Sequence, residues 1–254
     1  MYIDTHAHLN FKDFQTDRPQ VIARAKAANV KGIINVGSNF KTSKEAIEIA
    51  QKNDGIYAAV GLHPIHVKEE EFNEENFLKL AREKKVVAIG ETGLDYYYDK
   101  SSAKKQEELF TKHLQIAIKL AKSVILHSRD AGQDILTILM TQSPLPRGVM
   151  HCFQENWDFA KVILDMGFYI SFTGLITFAK NYSTFEVIKE MPMDRILIET
   201  DCPYLTPEPY RDRRNEPAYV VEVAKKIAEI KKIPLEKVAE ETSKNATDLF
   251  NLDL

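Results

Sequence analysis

The chain has 254 residues, 44% of them hydrophobic and 28% charged, with a formal net charge of −3. These values are ordinary for a globular enzyme and carry no general basic footprint of a duplex-clamping protein. The two cysteines, Cys152 and Cys202, exclude a disulfide scaffold in a chain of this length. The opening Met1-Tyr2-Ile3-Asp4 has neither a basic leader nor a long apolar run, so no signal peptide or membrane span is expected and a cytoplasmic location is the default.

Short runs rich in Val and Ile alternate with charged segments of helical spacing from end to end. In chain order the expected strands are Met1–His6, Gly32–Val36, Tyr57–Gly61, Val86–Glu91, Val124–His127, Val149–His151, Tyr169–Phe172 and Ile196–Asp201. Between the fourth and fifth, Phe110, Leu114, Ala117, Ile118 and Ala121 mark a helical face. After the eighth, a Pro-rich stretch from Cys202 to Pro217 is expected to form a loop on the strand C-terminal side. The tail is helical: Val220, Val223, Ala224 and Ile227 share a face, Pro234 suits a first helical position, and Thr242 or Ser243 is placed to cap a last short helix ending near Phe250. No linker or low-complexity segment divides the chain.

Strands that alternate with helices, without hairpin signals, pair in parallel through βαβ crossovers. Right-handed crossovers then make a closed (β/α)8 barrel the simplest topology. The expectation is an α/β chain folded as one TIM-type barrel domain over residues 1–254, with extra helices at the C-terminus.

In such a barrel all strand C-termini open on one face, and His6, His8, Glu91, His127, His151 and Asp201 sit at expected strand ends. Side-chain alternation turns Asp4, His6 and His8 the same way, which places Asp4 a layer lower, suited to hold an imidazole N–H, and puts Glu199 under Asp201. Imidazoles mixed with carboxylates suit Zn²⁺, Mn²⁺, Fe²⁺ or Co²⁺, and a carboxylate-rich set accepts Mg²⁺. Cations held this way activate water for hydrolysis, whatever bond is broken. His63 ends the third strand as a candidate phosphate donor. Arg129 and the group Arg211, Arg213 and Arg214 are candidate phosphate contacts. Tyr96, Tyr97, Tyr98, Tyr204 and Tyr210 can stack unpaired bases or wall off the pocket. Cys152 and Cys202 alternate away from the ligand face and read as packing residues. His66, His113 and Trp157 fall away from strand ends, and Glu69-Glu70-Glu71 reads as a solvated acidic face.

The blocks DTHAHL at 4–9, VGLHP at 60–64, IGETGLDYYYD at 89–99, ILHSRDA at 125–131, HCF at 151–153 and ETDCPYL at 199–205 resemble the TatD family of metal-dependent deoxyribonucleases, amidohydrolase-like barrels. The resemblance implies two divalent ions (Mg, Mn, Zn, Co or Ni). One would be held by His6, His8, Glu91 and Asp201, the other by Glu91, His127 and His151, with Glu91 bridging. By residue chemistry, Asp201 beside Glu91 is placed to act as the base, and Arg129 and Tyr204 are candidate substrate contacts, as is His63, which the resemblance also suggests. The resemblance further implies single-stranded DNA or a DNA 3′ end as substrate, with RNA a related target, and neither a membrane nor a protein partner. Two other readings stand beside it. One is an ester or amide hydrolase, such as a D-aminoacyl-tRNA deacylase or a small-molecule amidohydrolase-like enzyme. The other is a non-catalytic barrel that binds nucleic acid or protein.

Overall fold

The computed structural model describes residues 1–97, 100–178 and 182–254. Eight parallel strands run in sequence order around a barrel: β1 (Tyr2–Ala7), β2 (Val30–Val36), β3 (Ile56–Val60), β4 (Val86–Asp95), β5 (Ser123–Arg129), β6 (Gly148–Met150), β7 (Tyr169–Phe172) and β8 (Ile196–Ile198). Just beyond β8 the ring meets β1. There the Asp201 amide donates to the His6 carbonyl at 2.9 Å, the His8 amide donates to the Cys202 carbonyl at 2.9 Å, and Ala7 pairs in parallel with Cys202. The expected (β/α)8 architecture is therefore present, and each expected strand overlaps an observed one, although β6 and β8 stop at Met150 and Ile198, short of His151 and Asp201.

Helices α1 (Arg18–Ala27), α2 (Phe40–Lys52), α3 (Glu74–Ala81), α4 (Ala103–Leu120), α5 (Gly132–Met140), α6 (Trp157–Asp165), α7 (Leu175–Phe178), α8 (Tyr182–Glu190) and α9 (Val220–Lys231) cover the outside. Three of the five positions anticipated for the apolar face of α4 are buried. Phe110, Leu114 and Ala117 are buried, but the stripe continues through His113 and Ile116 rather than through Ile118 and Ala121. The helix ends first, with Ala121 in a left-handed cap. No helix among the described residues is long and apolar enough to cross a membrane.

Inside the barrel, Ile3, Ile34, Tyr57, Ala88, Ile125 and Leu197 belong to a continuous apolar filling, which Leu249, Phe250 and Leu252 close from below. Leu249 and Phe250 end α10 (Leu235–Phe250), one helix where a separate short one was expected, and Leu252 follows it. Thr242 and Ser243 sit in its interior and cap nothing. The Thr242 hydroxyl donates to the Val238 carbonyl at 2.8 Å, and the Ser243 hydroxyl donates to the Met1 carbonyl at 2.9 Å. Pro234 is the residue before the first turn, not within it.

Two register shifts decide what reaches the mouth. Ile3 fills the interior, so strict alternation would turn His6 outward; β1 shifts register between Asp4 and Ala7, and His6 and His8 come round to the inside. Likewise Ala88 faces inward, and β4 shifts between Ile89 and Thr92, which brings Glu91 to the axis. Gly90 makes the second shift possible. Its φ is +157°, and a Cβ there would lie 2.8 Å from the Ile125 Cβ.

Candidate metal centre

Glu91 stands at the middle of the barrel mouth, 4% exposed, with its two oxygens facing different walls. Oε1 lies 2.9 Å from His127 Nδ1, 2.9 Å from His151 Nε2 and 3.2 Å from His63 Nε2. Oε2 lies 3.3 Å from His6 Nε2 and 3.9 Å from His8 Nε2. Asp201 completes the second wall, with Oδ1 3.4 Å from His8 Nε2 and 3.8 Å from His6 Nε2. All six side chains singled out from the sequence as a metal set therefore converge, though they are drawn from positions as far apart as 6 and 201.

The outer contacts of these rings fix which nitrogen is left over. His8 Nδ1 donates to the Val36 carbonyl at 2.9 Å, which leaves Nε2 a lone pair toward the cluster. His151 Nδ1 donates to Glu199 Oε1 at 3.2 Å, again freeing Nε2. His127 is turned the other way: Nε2 donates to Asp95 Oδ2 at 3.0 Å and Nδ1 faces Glu91. Lone pairs directed at a carboxylate oxygen repel unless positive charge lies between them, either a cation or the ring proton that the neighbouring carboxylates favour by raising His127 and His151 against their burial. The buried donor set thus fits a cation, or cations, at its centre. His6 Nδ1 is buried without a hydrogen-bond partner. Ligand atoms of His6, His8 and Asp201 all lie within 4.8 Å of one another, and so do those of His63, Glu91 and His127, and of His6, His151 and Glu199.

Two members of those sets have their atoms committed elsewhere. His63 Nδ1 accepts the Ile65 amide at 3.2 Å, so the neutral ring carries its proton on Nε2 and donates into the site. Burial pushes His63 down to about 4, against the pull of Glu91, which keeps it neutral near pH 7. Glu199 accepts from His151, from the Cys152 amide at 2.7 Å and from the Ser171 hydroxyl at 2.6 Å, and so acts as the support of His151. Burial alone would raise the Glu91 carboxyl, but the imidazoles of His63, His151 and His6 outweigh it and hold it well below the usual range. Asp201 is lowered too, as His8 and His6 overcome the burial that would raise it.

Several expectations need correction. Asp4 holds no imidazole: its carboxylate accepts the Thr200 amide at 2.9 Å and the Thr200 hydroxyl at 2.6 Å, because the register shift in β1 takes it off the histidine face. Glu70 is not merely solvated; it accepts the Phe40 amide at 3.1 Å at the start of α2. Arg214 is paired with Asp17 at 2.7 Å, and Arg211 donates to the Thr206 carbonyl at 2.7 Å, so both serve the loop itself. Tyr96 is buried with its hydroxyl on Glu107, and Tyr210 stacks on Tyr219 at 4.2 Å between centroids. Tyr98 lies outside the described residues. Arg129 and Tyr97 are exposed together at the mouth, and Tyr204 is exposed across from them.

As expected, Cys202 is buried and Cys152 packs its sulfur 3.7 Å from the Thr173 hydroxyl, with burial pushing that thiol up to about 12. His66 pairs with Glu69, and His113 is enclosed in α4, both away from the cluster. Asp95 is the functional candidate that sequence reasoning passed over. It lies four residues after Glu91 on the same strand, a spacing that alternation places on one face.

Comparison with known proteins agrees with this geometry. The model of the family described as TatD related DNase matches residues 3–251. The chain is 44% identical over 255 residues to the uncharacterized metal-dependent hydrolase YabD of Bacillus subtilis, covering 100% of both. It is 34% identical to the 3′-5′ ssDNA/RNA exonuclease TatD of Salmonella typhimurium, covering 98% of each. The crystal structure of YJJV, a TatD homologue from Escherichia coli, superposes with a TM-score of 0.91 at 28% identity, covering 99% of this chain and 98% of that one. With its barrel, its metal-binding residue groups and a match over almost its entire length, this chain belongs to the TatD family of metal-dependent hydrolases.

Proposed function

We propose that the protein is a phosphodiesterase that trims single-stranded DNA from the 3′ end with the help of two divalent cations, which Glu91 and the side chains around it would hold, and that all 254 residues form one hydrolase domain. The observation that carries the reading is the division of the Glu91 carboxylate. One oxygen faces His6 and His8, beside Asp201, and the other faces His127 and His151. Those two walls would be the two ligand sets, for cations of the Mg, Mn, Zn, Co or Ni type. When bound, such a pair lowers the pKa of water and neutralises charge on the phosphoryl oxygens.

The chain's own residues supply the rest. Asp201, ionised and partly open to the mouth, takes the proton of the attacking water. His63 donates its Nε2 proton in a hydrogen bond to a non-bridging phosphoryl oxygen. Water oxygen bonds to phosphorus, the phosphorus–oxygen bond to the leaving sugar breaks, and that oxygen is protonated from solvent. Arg129 and Tyr204, both at the rim, contact the strand. The exonuclease activity printed for the Salmonella relative supports the choice of a nucleic-acid diester.

The test uses purified protein with Mg²⁺ or Mn²⁺ and single-stranded DNA labelled at its 5′ end. Stepwise shortening is expected. Glu91→Ala should abolish it while the far-ultraviolet circular dichroism stays unchanged. Turnover of aminoacyl-tRNA or amides, with DNA untouched by the metal-loaded protein, would refute the reading.

A further inference from the structure

Exposed aromatic rings flank the centre on two opposite walls. Among the described residues, the exposed large apolar side chains are Met1, Ile65, Tyr97, Met140, Tyr182, Tyr204 and Leu254. Met1 and Leu254 are chain ends and Met140 ends α5, all away from the strand C-termini. Ile65, Tyr97, Tyr182 and Tyr204 lie on segments that follow β3, β4, β7 and β8, so they belong to the mouth. Four of these seven exposed groups thus stand where a ligand would arrive.

Each wall is tied to one half of the cluster. On the β1–β8 side, the Phe11 ring stacks on the His8 imidazole at 4.4 Å with 13° between planes, and Tyr204 meets Phe11 edge-on at 6.4 Å. Tyr204 is 56% exposed. On the β4–β5 side, the Arg129 guanidinium lies 3.7 Å from the centroid of Tyr97, which is 53% exposed. The Tyr97 amide donates to Asp95 Oδ1 at 3.0 Å, and Asp95 Oδ2 holds His127. β1 and β8 adjoin at Ala7 and Cys202, β4 and β5 are paired, and in a ring of eight strands these two pairs stand opposite each other. Glu91 sits between them, with one oxygen toward each wall.

We infer that Tyr204 with Phe11, and Tyr97 with Arg129, are two base-stacking subsites on opposite sides of the scissile bond. The preferred substrate is then a single strand carrying an unpaired base on each side of the diester that is cut. This rests on the phosphodiesterase reading above and adds what that reading lacks, a reason for single strands. A flat π-face accepts any unpaired base, and the guanidinium adds a cation at one of the platforms. In duplex DNA the same faces are occupied by neighbouring pairs.

The test measures kcat/KM for the first cleavage of a short oligothymidylate, and of two versions with an abasic residue at the terminal or the penultimate 3′ position. Each abasic substitution should slow the metal-loaded wild type by about tenfold or more, the scale of one base–aromatic stack. Tyr204→Ala should erase the penalty at one position and Tyr97→Ala at the other, while Tyr204→Phe and Tyr97→Phe keep both penalties. No abasic penalty in the wild type, or penalties undiminished in either alanine variant, overturns the two-subsite inference and leaves the phosphodiesterase reading standing. If no oligomer is cut at all by metal-loaded protein, that reading falls, and the subsites with it.

Discussion

Asp95 accepts from the far nitrogen of His127 and so decides which nitrogen of that ring faces Glu91. A carboxylate on the far side of an imidazole fixes the ring and makes its inner nitrogen a better donor. Loss of such a partner costs about 10- to 100-fold in metal affinity. Asp95→Asn should therefore weaken Mn²⁺ binding by about that factor in titration calorimetry; an unchanged isotherm would show that His127 needs no such support. His113 illustrates a different use of imidazole. Its Nδ1 donates to the Leu109 carbonyl at 2.9 Å and its Nε2 accepts the Leu62 amide at 3.1 Å, so a second proton would meet an N–H. Burial lowers it from the ordinary 6.5 to about 4. Above pH 6.5 both folded and unfolded chains carry it neutral, and its stabilisation is fully present. As pH falls from 6.5 toward 4, the unfolded chain takes up the proton first, and on the order of 3 kcal/mol of stability is lost. Urea unfolding across that interval should show a loss smaller by about this amount in His113→Gln than in the wild type; equal losses would contradict the assignment.

At the level of elements, the strand ends were legible because Val- and Ile-rich runs stop at chemically distinctive residues. His127 and His151 follow simple alternation from the interior residues Ile125 and Val149. Glu91 and His6 do not. Both depend on register shifts that no period-2 pattern announces, and Gly90 was the only visible trace of one of them. Asp4 was misplaced for the same reason. The C-terminal helix differs from expectation because Ser and Thr favour caps in general, whereas here Thr242 returns its hydroxyl to the Val238 carbonyl within α10 and Ser243 gives its hydroxyl to the Met1 carbonyl at the start of the chain. That helix has a structural task, closing the base of the barrel with Leu249 and Phe250. Phe250, 3% exposed, leaves a cavity at the barrel floor if truncated. Phe250→Ala should lower the free energy of unfolding by about 3–5 kcal/mol in urea titration, while metal stoichiometry at the opposite end is retained. A loss below about 1 kcal/mol would mean that the plug is dispensable.

Across the whole molecule, the barrel separates stability from chemistry. An apolar filling and the α10 plug hold the lower half, and polar groups from β1, β4, β5 and the segments after β3, β6 and β8 meet at the upper rim. Arg24 with Glu216 and Arg214 with Asp17 pin the long loop after β8 to α1 and the turn before it, so Arg214, a candidate phosphate contact by sequence, instead helps hold the wall that carries Tyr204. What sequence pattern conveyed was the convergence; what it could not convey was which charges are spent on the scaffold. The central claim is that the two oxygens of Glu91 serve two cations. Anomalous scattering from a crystal soaked in Mn²⁺ tests it most directly. Two peaks are expected, one between Glu91 Oε2, His6, His8 and Asp201, the other between Glu91 Oε1, His127 and His151. A single peak, or none touching Glu91, would contradict the account.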